Sequence, residues 1–586
     1  MRMLRFCVAG IVALLLSSHA WADGCHLADY GTLPVEMIDG QPTTVVKING
    51  TDTRFILDTG AFFNMMSRAD AASLGLKLRP LPDDVRIGGI GGDTRAQYTT
   101  VKQFGILGTT IGNVDFIVGG SDTGYGLIGA NLLDFADLEI DLAHGKLTLF
   151  KPDHCKKASM AYWVKDGNYE VADIESSDQG SDRQTALAVT INGKKLRAIL
   201  DTGASMTLLS RDAAERIGID LKGPQAKPGL SSMGIGSKAL KAWTVNIDSF
   251  SVGTETIQHS QMVVLDGDIG GSHVDMLLGA DFILAHHMFI ANSQDKVYFT
   301  YNGGRVFSLA KAPADSDSAS TSGKEAPLQN AADYALRGEA HLSRGEPNAA
   351  VADLDEAIRM APDQPGYYLA RARAHIAEKQ LDAASADLDK SVSLDPKNID
   401  ALLLRANVRF SHKDISGATA DVNAASVLAP AGSSQTRSIA SFYIALDQPA
   451  AALPLLDAWI HVHNNDVQLG AALNERCWAR SLSNQMLDDA LSDCRKAIRR
   501  DGENPAYLDS LGMVQLRLGH YPESISAYEQ ALPNNKGSVW SHYGLGLAKI
   551  RSGQKDAGNA DLAAARAINP DIDARAAKFG LTTAGP

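Results

Sequence analysis

The chain is short of positive charge. Its 586 residues hold 55 Lys and Arg against 68 Asp and Glu, a formal net charge of −13 at pH 7. Loss of a leader containing Arg2 and Arg5 removes two more positive charges and gives −15. A nucleic-acid partner needs a basic face, so this balance argues against one. Long apolar runs are scarce too. After the first 22 residues nothing is apolar enough to cross a membrane. The five cysteines have no zinc-ligand spacing. His286-His287 and His461-Val462-His463 lack suitable Cys or His partners, so they read as surface or packing residues. No Gly-Lys-Ser/Thr follows the Gly-rich stretch at 88–92, which argues against a phosphate loop, and no nucleophile elbow is present. No metal and no cofactor are expected.

What is present begins with a leader. Arg2 and Arg5 precede an apolar stretch at 6–16, and Ala20-Trp21-Ala22 supplies small residues for cleavage. Residues 1–22 therefore read as a signal peptide, and the product as exported, periplasmic or secreted. Cys7 leaves with the leader. Cys25 and Cys155 bracket the first part of the chain, and Cys477 and Cys494 lie 17 apart in a helical region. Both pairs are disulfide candidates in an oxidising compartment, with other pairings formally open.

Residues 30–302 read as β-rich. Thr44 to Gly50 and Ala186 to Gly193 look like strands entering Asn-Gly turns. The similar spacing of later elements makes the region an internal duplication, with lobes at 23–157 and 158–310. Residues 311–329, rich in Ala, Ser, Asp and Pro, read as a flexible linker. From 330 to 580 the composition turns Ala-rich and helical. Pro362, Pro396 and Pro430 keep a period of 34, as do Ala350, Ala384 and Ala418. A copy near 436–470 is degenerate, and the phase is read as slipping there by four residues. The region resembles the tetratricopeptide repeat, in about seven copies.

The β-rich halves carry the chemistry. Asp58-Thr59-Gly60-Ala61 and Asp201-Thr202-Gly203-Ala204 each end an apolar run. A Gly-rich stretch follows each: Gly88-Gly89-Ile90-Gly91-Gly92 in the first half, Met233-Gly234-Ile235-Gly236 in the second. Then come Leu127-Ile128-Gly129-Ala130-Asn131 and Leu277-Leu278-Gly279-Ala280-Asp281. Two carboxyls brought together cannot both ionise easily and share a proton, which suits them to general acid/base work.

This ordered set, found twice, resembles the retroviral-like (retropepsin) aspartic proteases, here with two lobes in one chain. The fold class implied is a bilobal all-β acid protease followed by an all-α repeat solenoid. The resemblance implies Asp58 and Asp201 as catalytic acids and hydrogen bonds from Thr59 and Thr202 across the lobe interface. It implies substrate-binding or supporting roles for Gly60, Ala61, Gly203 and Ala204. Gly89, Ile90 and Gly91 would form one flap, and Met233, Gly234 or Ile235 the tip of the other. The implied glycine role is to let substrate backbone approach the acids. Phe62 departs from the pattern, where the second copy has Ser205. The expected function is an exported aspartic endopeptidase acting on polypeptides, a monomer with an internal pseudo-dimer, whose repeats recruit a protein partner or substrate. The alternative is an inactive peptide-binding scaffold.

Overall fold

The computed structural model describes residues 24–82, 87–175, 184–229, 234–236, 238–270, 274–307 and 328–583. The leader at 1–22, Met233 and nearly all of the linker at 311–329 lie outside the described residues.

The doubled strands begin as hairpins. Gln41–Ile48 pairs antiparallel with Thr51–Asp58, and Ala186–Ile191 with Lys194–Leu200. Both turns are Asn-Gly, with φ of 49° and 92° at Asn49-Gly50 and 48° and 76° at Asn192-Gly193. A tight two-residue hairpin needs positive φ at both central positions, which this pair of residues tolerates. Each hairpin belongs to one lobe, built on an eight-stranded sheet in the first half and a seven-stranded sheet in the second.

A six-stranded sheet joins the lobes. Each half gives it three strands: His26–Pro34, Lys146–Asp153 and Asp137–Asp141 from the first, His286–Ala291, Lys296–Tyr301 and Glu170–Asp173 from the second. The halves meet where Asp137–Asp141 pairs antiparallel with His286–Ala291, with Leu138 opposite Ile290 and Ile140 opposite Met288. All four side chains are buried in a core that runs through both lobes. Pairing of equivalent strands across a pseudo-twofold axis turns the sequence duplication into one body.

Both cysteine pairs are disulfides, Cys25–Cys155 and Cys477–Cys494. The first ties the start of His26–Pro34 to the end of its partner Lys146–Asp153. It closes 130 residues, against 17 for the second. Loop-closure entropy then predicts losses of ~5 and ~3 kcal/mol when each pair is replaced by serine. Denaturant unfolding of Cys25→Ser/Cys155→Ser and Cys477→Ser/Cys494→Ser should rank them in that order.

Among the described residues, the helical region has seven helix pairs from Ala331 to Ile568 and a last helix, Ile572–Lys578. Small residues set the spacing within a pair: a Cβ on Gly512 would stand 2.8 Å from the ring of buried Tyr528. The first helices begin at Ala331, Pro365, Ile399, Ser434, Leu469, Pro505 and Val539. The second helices begin at Pro347, Leu381, Ile415, Pro449, Leu487, Tyr521 and Lys555, 34 residues apart at every step but the 38 from Pro449 to Leu487, so the slip of four falls at the end of the fourth copy.

Most copies share a buried ion pair between their two helices: Arg337–Asp353, Arg371–Asp387, Arg405–Asp421 and Arg476–Asp493. The fourth copy, Ser434–Ala445 with Pro449–Val462, has fully buried Ile439 and half-buried Leu455 at those places. Among the described residues, the solenoid meets the first lobe at its first copy and at this degenerate fourth one. At its start, Ala340 joins the lobe core, and Leu336 packs over Gly145. Glu339 sits buried against Glu36, and burial with the nearby carboxylate holds its carboxyl well above the usual range. At the fourth copy, Arg68 bonds Asn464, and the backbone of Asp122 donates to Asp466 at 2.6 Å. Buried His463 pairs with Asp122 at 3.2 Å.

Candidate active site

Asp58 ends the strand Thr51–Asp58, which lies parallel to Gly126–Gly129 with Asp58 beside Gly129. The second lobe repeats this, with Lys194–Leu200 parallel to Met276–Leu278. The apolar-apolar-Gly segments support the acidic turns. Ala130 N–H donates to Ala61 O at 2.8 Å, and Ala280 N–H to Ala204 O at 2.7 Å. A side chain at Gly129 or Gly279 would collide with that same loop, whose backbone atoms lie 2.6 Å and 2.5 Å from the ideal Cβ. Their N–H groups instead donate to Asn64 and Thr207.

The two turns meet. Thr59 N–H donates to Thr202 Oγ1 at 3.0 Å, and Thr202 N–H to Thr59 Oγ1 at 3.1 Å. Each hydroxyl donates onward to the opposite strand, Thr59 to Leu200 O at 2.7 Å and Thr202 to Leu57 O at 2.6 Å. The carboxyls of Asp58 and Asp201 share a hydrogen bond between them. Each also accepts backbone N–H groups of its own turn: Gly60 and Ala61 on Asp58, Gly203 and Ala204 on Asp201. Burial raises both carboxyls, and the charge of Asp201 lifts Asp58 well above its ordinary range. The amide bonds pull the other way and keep one ionised carboxylate within reach.

Gly60 and Gly203 have a reason to be glycine beyond substrate approach. A Cβ on Gly60 would overlap the Asp201 carboxyl, and a Cβ on Gly203 the Asp58 carboxyl. Each glycine makes room for the opposing acid.

Above the acids lies a cavity of about 520 Å³. Phe62, Ile90, Ile199, Met206 and Leu277 line it, as do Gly60, Ala61, Gly89, Gly203 and Ala204. The first flap is a hairpin, Ile87–Gly89 with Gly92–Thr94, and Ile90-Gly91 form its tip. Gly91 takes a φ of 93° there. The described residues of the second flap lie in no strand. Gly234 and Ile235 pack on Ile90 and Gly89, and Gly236 N–H donates to Ile90 O at 3.0 Å. Ser121 holds this flap from the first lobe: its N–H donates to Ile235 O at 2.9 Å and its hydroxyl to Gly236 O at 2.6 Å. That hydroxyl accepts Val467 N–H of the helical region at 2.8 Å. A hydrogen-bonded line thus runs from the fourth repeat to the flap.

Two side chains escaped the sequence reading. Gln41 of the first lobe donates to Gly203 O at 2.9 Å, and Gln184 of the second donates to Gly60 O. Each crosses to the opposite acidic turn. Each stands seventeen residues before its own Asp, an offset that the duplication carries in plain view.

The histidine motifs lie elsewhere. His286 is fully buried, bonded to Phe282 O at 2.6 Å and facing Glu255, and His287 bonds Glu139 at 2.8 Å. Among the described residues no group of three or more His, Cys, Asp and Glu is arranged to hold a metal ion.

Known families match this layout. The aspartyl protease family matches twice, over 44–132 and 187–282, once per lobe. The N-terminal region is a retropepsin-like aspartyl protease-family domain. The tetratricopeptide repeat family matches residues 335–399, and the helical region is a tetratricopeptide-repeat solenoid. Similar solved structures include a tetratricopeptide repeat protein from Parabacteroides merdae, at 15% identity over 43% of this chain and 99% of that one, TM-score 0.33. PilF of Pseudomonas aeruginosa is 17% identical over 36% of this chain and 94% of its own, TM-score 0.30. A chain of the APC/C Cut9–Hcn1 hetero-tetramer is 17% identical over 42% of this chain, TM-score 0.31, and this chain spans only 48% of its length. No curated protein matches. Among the described residues no helix is long and apolar enough to cross a membrane.

Proposed function

We propose that the protein is an exported aspartic endopeptidase in which Asp58 and Asp201 form one proton-sharing pair. The observation that carries this reading is two carboxyls from equivalent turns, hydrogen-bonded to each other beneath a flap-covered apolar cleft. The ionised carboxyl takes a proton from water, whose oxygen attacks the peptide carbonyl carbon. The protonated carboxyl gives its proton to the carbonyl oxygen. The resulting gem-diol then returns a proton to the pair as the C–N bond breaks, and the leaving nitrogen takes the other. The pair ends, as it began, with one proton. It titrates as a unit, so neither role belongs permanently to one residue.

Ile90 N–H at the flap tip is the donor positioned to reach substrate through water. The leader and the two disulfides support export to an oxidising compartment. Both acids come from one chain, so a monomer suffices. The repeats supply a surface for a protein partner or substrate.

Cleavage of a diverse peptide mixture tests the reading. Asp58→Asn and Asp201→Asn should each lower kcat by about 10²–10⁴-fold or more. Persistent cleavage in either variant would sink the pair, and absence of cleavage by the unaltered protein would leave a peptide-binding scaffold. The pH dependence has a definite sign. Both carboxyls are raised, so the shared proton persists above the ordinary carboxylate range near pH ~4. The rate should therefore peak above that range and fall as pH rises further through the upper titration. The same shift makes ionised Asp58 a cost to folding once pH exceeds its unfolded value. Asp58→Asn should thus unfold at a higher temperature than the unaltered protein at pH 7 while losing activity. A variant that is merely misfolded would unfold lower.

A further inference from the structure

The cavity over the acids does not end at the lobes. A second cavity, of about 720 Å³, lies between the lobes and the repeat solenoid. The two share Gln41, Thr123, Ser205 and Gly234 in their walls, so they form one continuous groove. On its far side the wall is the fourth repeat. Ser434, Arg437, Ser438 and Ser441 stand three or four residues apart on one face of helix Ser434–Ala445 and look into it, joined by Gln468.

The chemistry changes along this groove. Around the acids the walls are apolar, with Ile90, Ile199, Met206 and Leu277. In the outer part they are hydroxyls and amides: Thr123, Ser434, Ser438, Ser441, Gln41 and Gln468. Such groups donate and accept, so they can meet either side of an extended backbone. Arg437 lends little free charge, because its guanidinium lies 5.6 Å over Trp459 and pairs with Glu475 at 2.7 Å. Asp122 in the same wall is held by His463. Exposed Asp39 is the remaining acid there among the described residues. A strongly acidic ligand finds no matching cation.

The fourth repeat also lacks the Arg–Asp pair of the repeats on either side of it, with buried Ile439 in place of the arginine.

We propose that the fourth repeat is part of the substrate site: polypeptide bound with apolar residues over Asp58 and Asp201 continues on one side as a neutral polar, extended stretch lying between the lobes and helix Ser434–Ala445. The repeats then read sequence beyond the scissile bond, and do more than hold a partner at a distance. This deepens the endopeptidase reading and rests on it for its kinetic readout.

The test compares a short apolar peptide with the same peptide extended, at one end or the other, by about six Ser, Gln, Thr and Gly residues, ~20 Å when extended. A third set carries Asp and Glu in the extension. One neutral extension should lower KM about tenfold relative to the short peptide, with kcat little changed, and the acidic one should not. Ser438→Trp and Ser441→Trp, at exposed positions, should each return the KM ratio of extended to short peptide to about one. Neutral extensions without effect at either end, or a gain that survives both tryptophans, would overturn the proposal. If no peptide is cleaved, the endopeptidase reading fails separately, and fluorescence anisotropy of the same labelled peptides decides this one. Tighter binding of the neutral extension, lost in Ser438→Trp, supports it, and equal binding of short and extended peptides refutes it.

Discussion

Gly203→Ala is expected to remove peptide cleavage almost entirely, by about 10²–10⁴-fold in kcat, without unfolding the protein. The added methyl would overlap the Asp58 carboxyl. That carboxyl cannot step aside cheaply, because the N–H groups of Gly60 and Ala61 fix it at 3.0 and 2.7 Å. Either the acid rotates off those donors or the turn shifts. A displacement of about 1 Å at a reacting group already costs on the order of 10²-fold, and loss of a general acid/base costs up to ~10⁴-fold. Gly60→Ala should act in the same way on Asp201, because its methyl would overlap that carboxyl. Steady-state kinetics with circular dichroism on both variants checks this. Cleavage within about tenfold of normal in either would mean that the acids need not be this close.

The parts legible in the sequence were those written in local patterns. The Asn-Gly turns announce their hairpins because few residue pairs accept two positive φ values. Apolar-apolar-Gly was legible as a motif since Gly129 and Gly279 each answer a close backbone contact within their own lobe. Asp-Thr-Gly was legible because it recurs, although Gly60 and Gly203 answer the acid of the opposite lobe. Single side chains that reach across the lobes leave no local pattern. Gln41 and Gln184 are single amides in unremarkable surroundings, and their meaning appears only when each is seen on the opposite turn. The equal offset from Asp58 and Asp201 was the available clue. Ser121 is harder still, because its partners lie in the second flap and in a repeat more than 340 residues away. The degenerate fourth copy was visible as a loss of pattern. Its docking on the first lobe was not, because a repeat sequence records stacking with neighbours and says nothing of a surface outside the stack.

Thr59→Val should destabilise the β-lobes by about 2–6 kcal/mol, and Thr202→Val by a similar amount. Valine keeps the shape and removes the hydroxyl. In Thr59→Val the Thr202 N–H loses its acceptor and the Leu200 carbonyl loses its donor. Both threonines are buried, at 4 and 0% exposure, so water does not readily replace the missing partner. Each buried group left unpaired costs ~1–3 kcal/mol. Threonine's β-branch is unchanged, so backbone preference does not confuse the result. The two replacements break different hydrogen bonds, so the double variant should lose about the sum of the single losses, departing from it only by the coupling of neighbouring groups. Activity should fall with stability, because these bonds fix the distance between Asp58 and Asp201. Denaturant unfolding followed by fluorescence of Trp163 and Trp243 measures the first effect, and kcat the second. Thr59→Ser keeps the hydroxyl and should stay near the unaltered protein in both. If serine proved as damaging as valine, the lost methyl packing would be the cause, and the crossed hydroxyls would not be what joins the halves.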